Sequence, residues 1–251
     1  MKTKPKIIII IPCWERANVF KVVSNQLELF CAENAAKIET VVLYVLSHED
    51  AELKKHLQVI KKANYPNEII YAPNKWLGQK LNEGVKWAVK QGCDYVMNMG
   101  SDDLIHPSII DLYMPLIKKK NPLFGLNELY FWDISGSALH FSYYNNPHIV
   151  GAGRMIHLNT IKNVINNTGS LYDYNINRCL DGNSASRMIK CGFNQLTVNP
   201  GKFLMIVDIK SEVNINSFNA IKVSSNRSGV TNIDGELLEN IYPGLKKIKI
   251  K

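Results

Sequence analysis

The chain has 251 residues, 46% hydrophobic and 21% charged. This composition excludes a collagen, a coiled coil, a disulfide mini-protein and a wholly disordered chain, and the length suits one or two domains with a real core. Lys and Arg number 30 against 22 Asp and Glu, a net charge of +8, which favours anionic partners (nucleotides, nucleic acid or acidic lipid) without choosing among them.

The start, Met1 to Lys6 and then five Ile, has the look of a leader. The apolar run is too short for one, and Pro12, Glu15 and Arg16 stop it, so a buried first strand is expected. Ile7 to Ile11 is a continuous apolar run, as in a strand covered on both faces. Val19, Val22, Val23, Leu27 and Phe30 follow at helical spacing. Thr40 to Leu46 reads as a second strand, and Leu53, Leu57 and Ile60 as a second helix. Glu68 to Tyr71 reads as a short strand, and Leu77, Leu81, Val85 and Ala88 as a third helical stripe. Tyr95 to Met99 is a fourth strand, followed by a polar turn from Gly100 to Asp103. A helix through Ile109, Ile110, Tyr113, Met114 and Ile117 closes this half. Strand alternating with helix predicts a mostly parallel sheet with right-handed crossovers.

Beyond residue 120 the pattern changes. Leu129 to Ile134 and Ala138 to Tyr144 read as strands of a hairpin around Ser135-Gly136-Ser137. Helices are expected near Leu158 to Ile165 and Leu180 to Ile189, and strands at Leu196 to Val198 and Phe203 to Ile209. Residues 211–233, rich in Asn and Ser, are expected to be loops, and the lysine-rich end from Lys246 to be mobile. One α/β domain over residues 1–251 is the economical reading, with 1–120 and 121–251 as its two halves. No stretch approaches the roughly 18 apolar residues of a membrane span. The cysteines Cys13, Cys31, Cys93, Cys179 and Cys191 form no C-x-x-C pair, which excludes a zinc site or disulfide framework and points to a cytoplasmic protein.

In open α/β sheets ligands bind beyond the carboxyl ends of the strands. The segments there are Pro12-Cys13-Trp14-Glu15-Arg16, Ser47-His48-Glu49-Asp50 and Ser101-Asp102-Asp103. Adjacent carboxylates at a strand end repel unless a cation is near, and oxygen ligands suit Mg²⁺ or Mn²⁺ beside a phosphate. The bland reading is an Asp capping the helix near Pro107. A second segment, Asn74 to Gly84, gathers two Gly, two Asn and two Lys near a helix start, where N–H groups and cations favour phosphate. Its bland reading is a turn and close helix packing.

Together these pieces resemble a glycosyltransferase of the GT-A fold, from the large family of inverting, nucleotide-sugar-dependent enzymes. The similarity lies in Ile7–Ile11 with Pro12 and Arg16; in Val41–Ser47; in Asn74, Gly78, Lys80, Asn82 and Gly84; and in Tyr95–Met99 with Ser101-Asp102-Asp103, a DXD-type motif. The resemblance implies a nucleotide-diphospho-sugar donor, a UDP-sugar being favoured, held by Pro12, Trp14, Arg16, Ser47, Glu49, Gly78, Lys80, Asn82, Ser101 and Asp102. It makes Asp103 the direct ligand of Mn²⁺ or Mg²⁺. Further on, Gly151-Ala152-Gly153-Arg154 is similar to the segment lining the acceptor side, with Gly153 and Arg154 as acceptor contacts. Leu180-Asp181-Gly182-Asn183 is similar to the helix start that carries the general base, with Leu180 replacing the usual Glu, so the resemblance makes Asp181 the base, its bland reading being an ordinary N-cap. Ser47 replaces the acidic residue that usually ends the second strand. The implied acceptor is a glycan, a glycolipid or a modified base in DNA. His148, His157 and Asp208 stand as third-ligand or acceptor candidates, each with a structural reading. The rival readings are a nucleotidyltransferase making sugar nucleotides, which wants a Gly-rich loop after the first strand, and a non-catalytic, basic nucleic-acid-binding protein.

Overall fold

The computed structural model describes residues 3–142, 148–201, 203–211, 218–224 and 229–248. The first half runs β1 (Lys6–Pro12), α1 (Ala17–Asn34), β2 (Glu39–Leu46), α2 (Leu53–Lys61), β3 (Asn67–Tyr71), α3 (Leu77–Gln91), β4 (Tyr95–Asn98), β5 (Asp103–Ile105) and α4 (Ile109–Lys118). The second half runs β6 (Leu123–Leu126), β7 (Glu128–Asp133), β8 (Ala138–Ser142), β9 (Met155–His157), α5 (Leu158–Thr168) and α6 (Leu180–Lys190). It continues with β10 (Leu196–Val198), β11 (Ile206–Lys210), α7 (Phe218–Ser224), β12 (Val230–Ile233), α8 (Gly235–Ile241) and a 3-10 turn at Pro243–Lys247.

Two sheets result. The larger has seven strands in the order β10-β6-β9-β4-β1-β2-β3, and the smaller five in the order β12-β8-β7-β11-β5. β4, β1, β2 and β3 are parallel, and β9 runs antiparallel to both β4 and β6. β1 is central, and Ile7 through Ile11 are fully buried. Alternate side chains of a strand point to opposite faces. Ile7, Ile9 and Ile11 accordingly pack with Val19, Phe20 and Val23 of α1, while Ile8 and Ile10 pack with Leu81 and Val85 of α3. Each buried Ile contributes about 1.5–3 kcal/mol. Gly84 of α3 lies against the Ile10 side chain, where a Cβ would collide with it.

The first half follows the periodicity in the sequence, and the second departs from it in several places. The polar turn after β4 ends one residue early, because Asp103 opens β5 and pairs in register with Asp208 of β11. β6 and β9 were hidden by their shortness, and β9 merges directly into α5. The strand expected from Phe203 starts only at Ile206, and Phe203 is exposed. Within the stretch expected to be loops, Phe218–Ser224 is helical and Val230–Ile233 pairs with β8; Tyr143 and Tyr144 lie outside the described residues. The tail is tied down as far as residue 248, because Leu245 is fully buried in the core and Gly244 packs on Val22. No helix among the described residues is long and apolar enough to cross a membrane.

Candidate active site

The loop after β1 holds two consecutive left-handed residues, Glu15 (φ 51°) and Arg16 (φ 55°). That conformation costs about 1–2 kcal/mol for each non-glycine residue, so something must hold it. The β2–α2 loop does so. One Asp50 carboxylate oxygen accepts the Glu15 N–H at 3.1 Å and the other the Glu52 N–H at 2.8 Å. Glu52 in turn accepts the Ala17 N–H at 2.7 Å, and buried His56 backs Asp50 at 3.1 Å. Held in this way, Arg16 reaches across the sheet end to Asp102 and donates to its carboxylate at 2.7 Å.

Asp102 belongs to a cluster of three carboxylates. Asp102, Asp103 and Asp208 each bring an oxygen within 4.8 Å of the others. Backbone geometry sets this convergence: Asp103 and Asp208 are opposed across the antiparallel β5–β11 pair, and the Ile209 N–H donates to the Asp102 carbonyl at 2.8 Å. The Asp103 carboxylate folds back onto the Gly100 N–H, and a side chain at Gly100 would strike both Asp102 and Asp103. Lys210 donates to Asp208 at 2.6 Å. The environments drive the three acids apart. Burial alone would raise Asp102, yet the Arg16 and Lys210 cations outweigh it and hold its carboxyl below the ordinary range. Burial, reinforced by the charges of Asp208 and Asp102, pushes Asp103 well above it. Burial likewise pushes Asp208 up to about 7 against the pull of Lys210. Asp208 Oδ1 is buried with no hydrogen-bond partner among the described residues. Three converging oxygens, one of them unsatisfied, fit a hard divalent cation such as Mg²⁺ or Mn²⁺.

Asp181 lies in the first turn of α6, behind Cys179, which is left-handed at φ 57°. The buried Arg154 sets the position of that turn. It donates to the Asp181 carbonyl at 3.1 Å, the Ser184 hydroxyl at 3.0 Å and the Ile149 carbonyl at 3.1 Å. Arg154 therefore does not face an acceptor as expected, because its side chain is buried and both terminal nitrogens donate inside the fold. Gly153 is also structural: its φ is 70°, and a Cβ there would run into Ile206. Asp181 and Asp103 both line a cavity of about 240 Å³. Beside it opens a second cavity of about 560 Å³, whose wall includes Trp14, Arg16, Lys80, Ser101, Asp102 and Lys210. Pro12 and Gly100 line both.

The Asn74–Gly84 segment does something other than the sequence suggested. The first two N–H groups of α3 are not available to a phosphate: Leu77 N–H donates to Asn177 Oδ1 at 2.6 Å and Gly78 N–H to the Ile176 carbonyl at 3.0 Å. Gly78 is glycine because the Asp173 carbonyl occupies the place of a Cβ. Asn82 is fully enclosed and grips Tyr172, donating to its carbonyl at 2.8 Å and accepting its N–H at 3.1 Å. These residues clasp the segment 172–177 that leads into α6. Lys80 does reach the larger cavity, yet its ammonium donates to the Cys13 carbonyl at 2.6 Å and to Asn74 Oδ1 at 3.0 Å. Burial pushes Lys80 down to about 8.

Ser47 is fully buried and donates to the Ala72 carbonyl at 2.7 Å, and neither Ser47 nor Glu49 lines either cavity. The expected contact of Ser47 with the donor has no counterpart in this geometry, because the end of β2 turns its hydroxyl toward β3, while Glu49 is exposed in the loop beyond. Trp132 is core, its N–H donating to Glu239 at 3.3 Å. His157 caps α5 and accepts the Asn159 N–H at 3.2 Å. Sequence reasoning left Asp208 as one candidate among three and passed over Lys210 and Arg178. The pattern Asp208-x-Lys210 places both on one face of a strand, but only the register of β11 against β5 shows which site that face meets.

No protein-family model matches the sequence, and no curated protein matches it. Solved structures match the fold. Residues 1–349 of S. aureus TarS, in complex with UDP-GlcNAc, align with a TM-score of 0.59 at 11% identity over 83% of this chain. The chain spans 60% of that fragment's length. The mannosyltransferase PcManGT from Pyrobaculum calidifontis, in complex with GDP-Man and Mn²⁺, aligns with a TM-score of 0.59 at 10% identity, covering 98% of this chain and 70% of that one. With its mostly parallel sheet, the smaller sheet beside it and the cleft at their junction, the chain has the GT-A fold.

Proposed function

We propose that the chain is a divalent-metal-dependent glycosyltransferase, moving a sugar from a nucleoside-diphosphate sugar to an acceptor hydroxyl with inversion. The observation that carries this reading is the pairing, in one cavity, of Asp103 from the three-carboxylate cluster with Asp181 from the first turn of α6. A cation-binding pole and a lone carboxylate base, close enough to share a cavity, are what inverting transfer from a diphosphate requires. The neighbours described with UDP-GlcNAc and with GDP-Man and Mn²⁺ support a nucleotide-sugar donor. A UDP-sugar remains the first donor to try.

In this reading Asp102, Asp103 and Asp208 hold the ion, which supplies positive charge to the diphosphate oxygens. The larger cavity takes the nucleotide diphosphate, with Pro12, Trp14 and Arg16 on its wall. Arg16 orients Asp102 while its own backbone is fixed by Asp50. Asp181 accepts the proton of the acceptor hydroxyl, whose oxygen attacks the anomeric carbon from the face opposite the leaving group. Such a base contributes about 10²–10⁴-fold. A glycan, a glycolipid or a hydroxylated base in DNA supplies that hydroxyl, and the net +8 suits a polyanionic acceptor or surface. A nucleotidyltransferase is disfavoured because Pro12-Cys13-Trp14-Glu15 offers no Gly-rich cradle after β1.

The test is a thermal-shift screen of UDP-, GDP-, CDP- and dTDP-sugars with and without Mn²⁺, a ligand of the folded state raising the melting temperature by mass action. Metal-dependent stabilisation by one nucleotide class, lost in Asp103→Ala, is the expected result. Asp181→Asn should keep that stabilisation and lose transfer. A chain stabilised by none of them is not this enzyme.

A further inference from the structure

The two cavities meet at a shared wall of Pro12, Leu77, Gly100, Asn177 and Arg178. Among the described residues, Arg178 is the one charged side chain in that wall. It is exposed, and it stands where the larger cavity, with Arg16 and Asp102, opens into the smaller one, with Asp103 and Asp181. Its position is not left to a loose loop. Asn177, one residue before it, accepts the Leu77 N–H at 2.6 Å, and Ile176 accepts the Gly78 N–H at 3.0 Å. One residue after it, Cys179 is the N-cap of α6, and Asp181 follows two residues later. Arg178 is thus fixed between the N-terminus of α3 and the helix that carries the base.

This inference rests on the glycosyl-transfer reading. If the nucleotide diphosphate lies in the larger cavity and the base in the smaller, the bond that breaks lies at their junction. We infer that Arg178 is the leaving-group residue of the site, its guanidinium holding the terminal phosphate of the departing nucleoside diphosphate. The bond between the anomeric carbon and the bridging oxygen breaks, and its electron pair stays on that oxygen. The acceptor oxygen bonds the same carbon, and the acceptor's proton passes to Asp181. The charge that grows on the terminal phosphate then faces a planar fork of donors that matches two phosphate oxygens at once. Arg16 and Lys210 are set deeper in the wall against Asp102 and Asp208, so their charge serves the cation-binding pole.

The experiment compares calorimetric binding of the nucleoside diphosphate and monophosphate of the preferred base, both with Mn²⁺, to wild type, Arg178→Met and Arg178→Lys. The expected result is diphosphate binding weakened about tenfold or more in R178M, monophosphate binding unchanged, and partial recovery in R178K. Transfer by R178M should show kcat reduced by about 100-fold with the acceptor KM unchanged. Unchanged monophosphate binding by R178M, with melting temperatures of all three proteins recorded alongside, separates the effect from misfolding. The inference is overturned if R178M binds the diphosphate as wild type does, or if it loses mono- and diphosphate equally. Wild type that binds neither nucleotide overturns the glycosyltransferase reading itself, whereas wild type and R178M binding the diphosphate alike sinks Arg178 alone.

Discussion

The Asp181 carboxylate occupies the space that a side chain on Gly151 would need: a Cβ built on Gly151 lands on its carboxyl carbon and both oxygens. The glycine is therefore a condition for the carboxylate's position. Gly151→Ala should push Asp181 aside and lower the transfer rate about 10- to 100-fold, the usual cost of a small misplacement of a reacting group. Gly182→Ala is the control. Gly182 sits in the same helix with nothing within 4 Å of its Cβ position, so the alanine should keep activity and add about 0.5–1 kcal/mol of helix stability. Steady-state rates and melting curves of the two variants check this. Full activity in G151A would mean that Asp181 acts from another rotamer or not at all.

Asp208→Asn tests the third carboxylate. Its unpartnered buried oxygen is a ligand only if a cation comes to it. The Mn²⁺-induced rise in melting temperature should shrink or vanish in the variant. The metal-free melting temperature should stay within about 3 °C of wild type, since one of three mutually repelling acids is neutralised as the Lys210 pair is weakened. An undiminished Mn²⁺ response in differential scanning fluorimetry would leave Asp102 and Asp103 as the whole site.

Asn82→Ala should act on stability. It leaves the buried Tyr172 N–H without its partner and takes one of two donors from the Tyr172 carbonyl, which keeps the Ser170 hydroxyl, a loss of about 3 kcal/mol. The melting temperature should then fall by about 6–12 °C. Nucleotide affinity, measured well below that temperature, should hold. A large loss of affinity with an unchanged melting temperature would return Asn82 to the donor site.

Lys80 predicts a pH signature. Burial holds its folded pKa at about 8, below the 10.5 of a free lysine. Between those two values the unfolded chain binds the proton and the folded chain does not, so this group's contribution to stability rises with pH across that window. Below it the full penalty applies, about 3 kcal/mol for a shift of this size. Wild-type stability minus that of Lys80→Met, from urea melts at successive pH values, should climb from pH 8 to pH 10.5 and be flat below. A flat difference throughout would mean that the ammonium's bonds to Cys13 and Asn74 offset its burial.

The first half was legible because its chemistry is local. Ile7–Ile11 is apolar on both faces, so it had to be a central parallel strand, and the helical stripes between strands fixed the crossovers. Carboxyl ends of parallel strands then placed Pro12, Arg16 and Asp102 at one edge. In the second half, β6 and β9 are too short to show a period. What the sequence by itself determined was the α/β class, the edge where chemistry gathers, and Asp103 and Asp181 as the acids worth testing. Tertiary structure alone decided which atoms are free to act there. It brought Asp208 opposite Asp103 through strand register, turned Ser47, Asn82 and Arg154 inward as struts, and spent the α3 N-terminus on the 172–177 segment. Spacing along a chain shows which residues share a face, but a hydrogen bond between distant segments is settled only when the backbone that carries both has been packed.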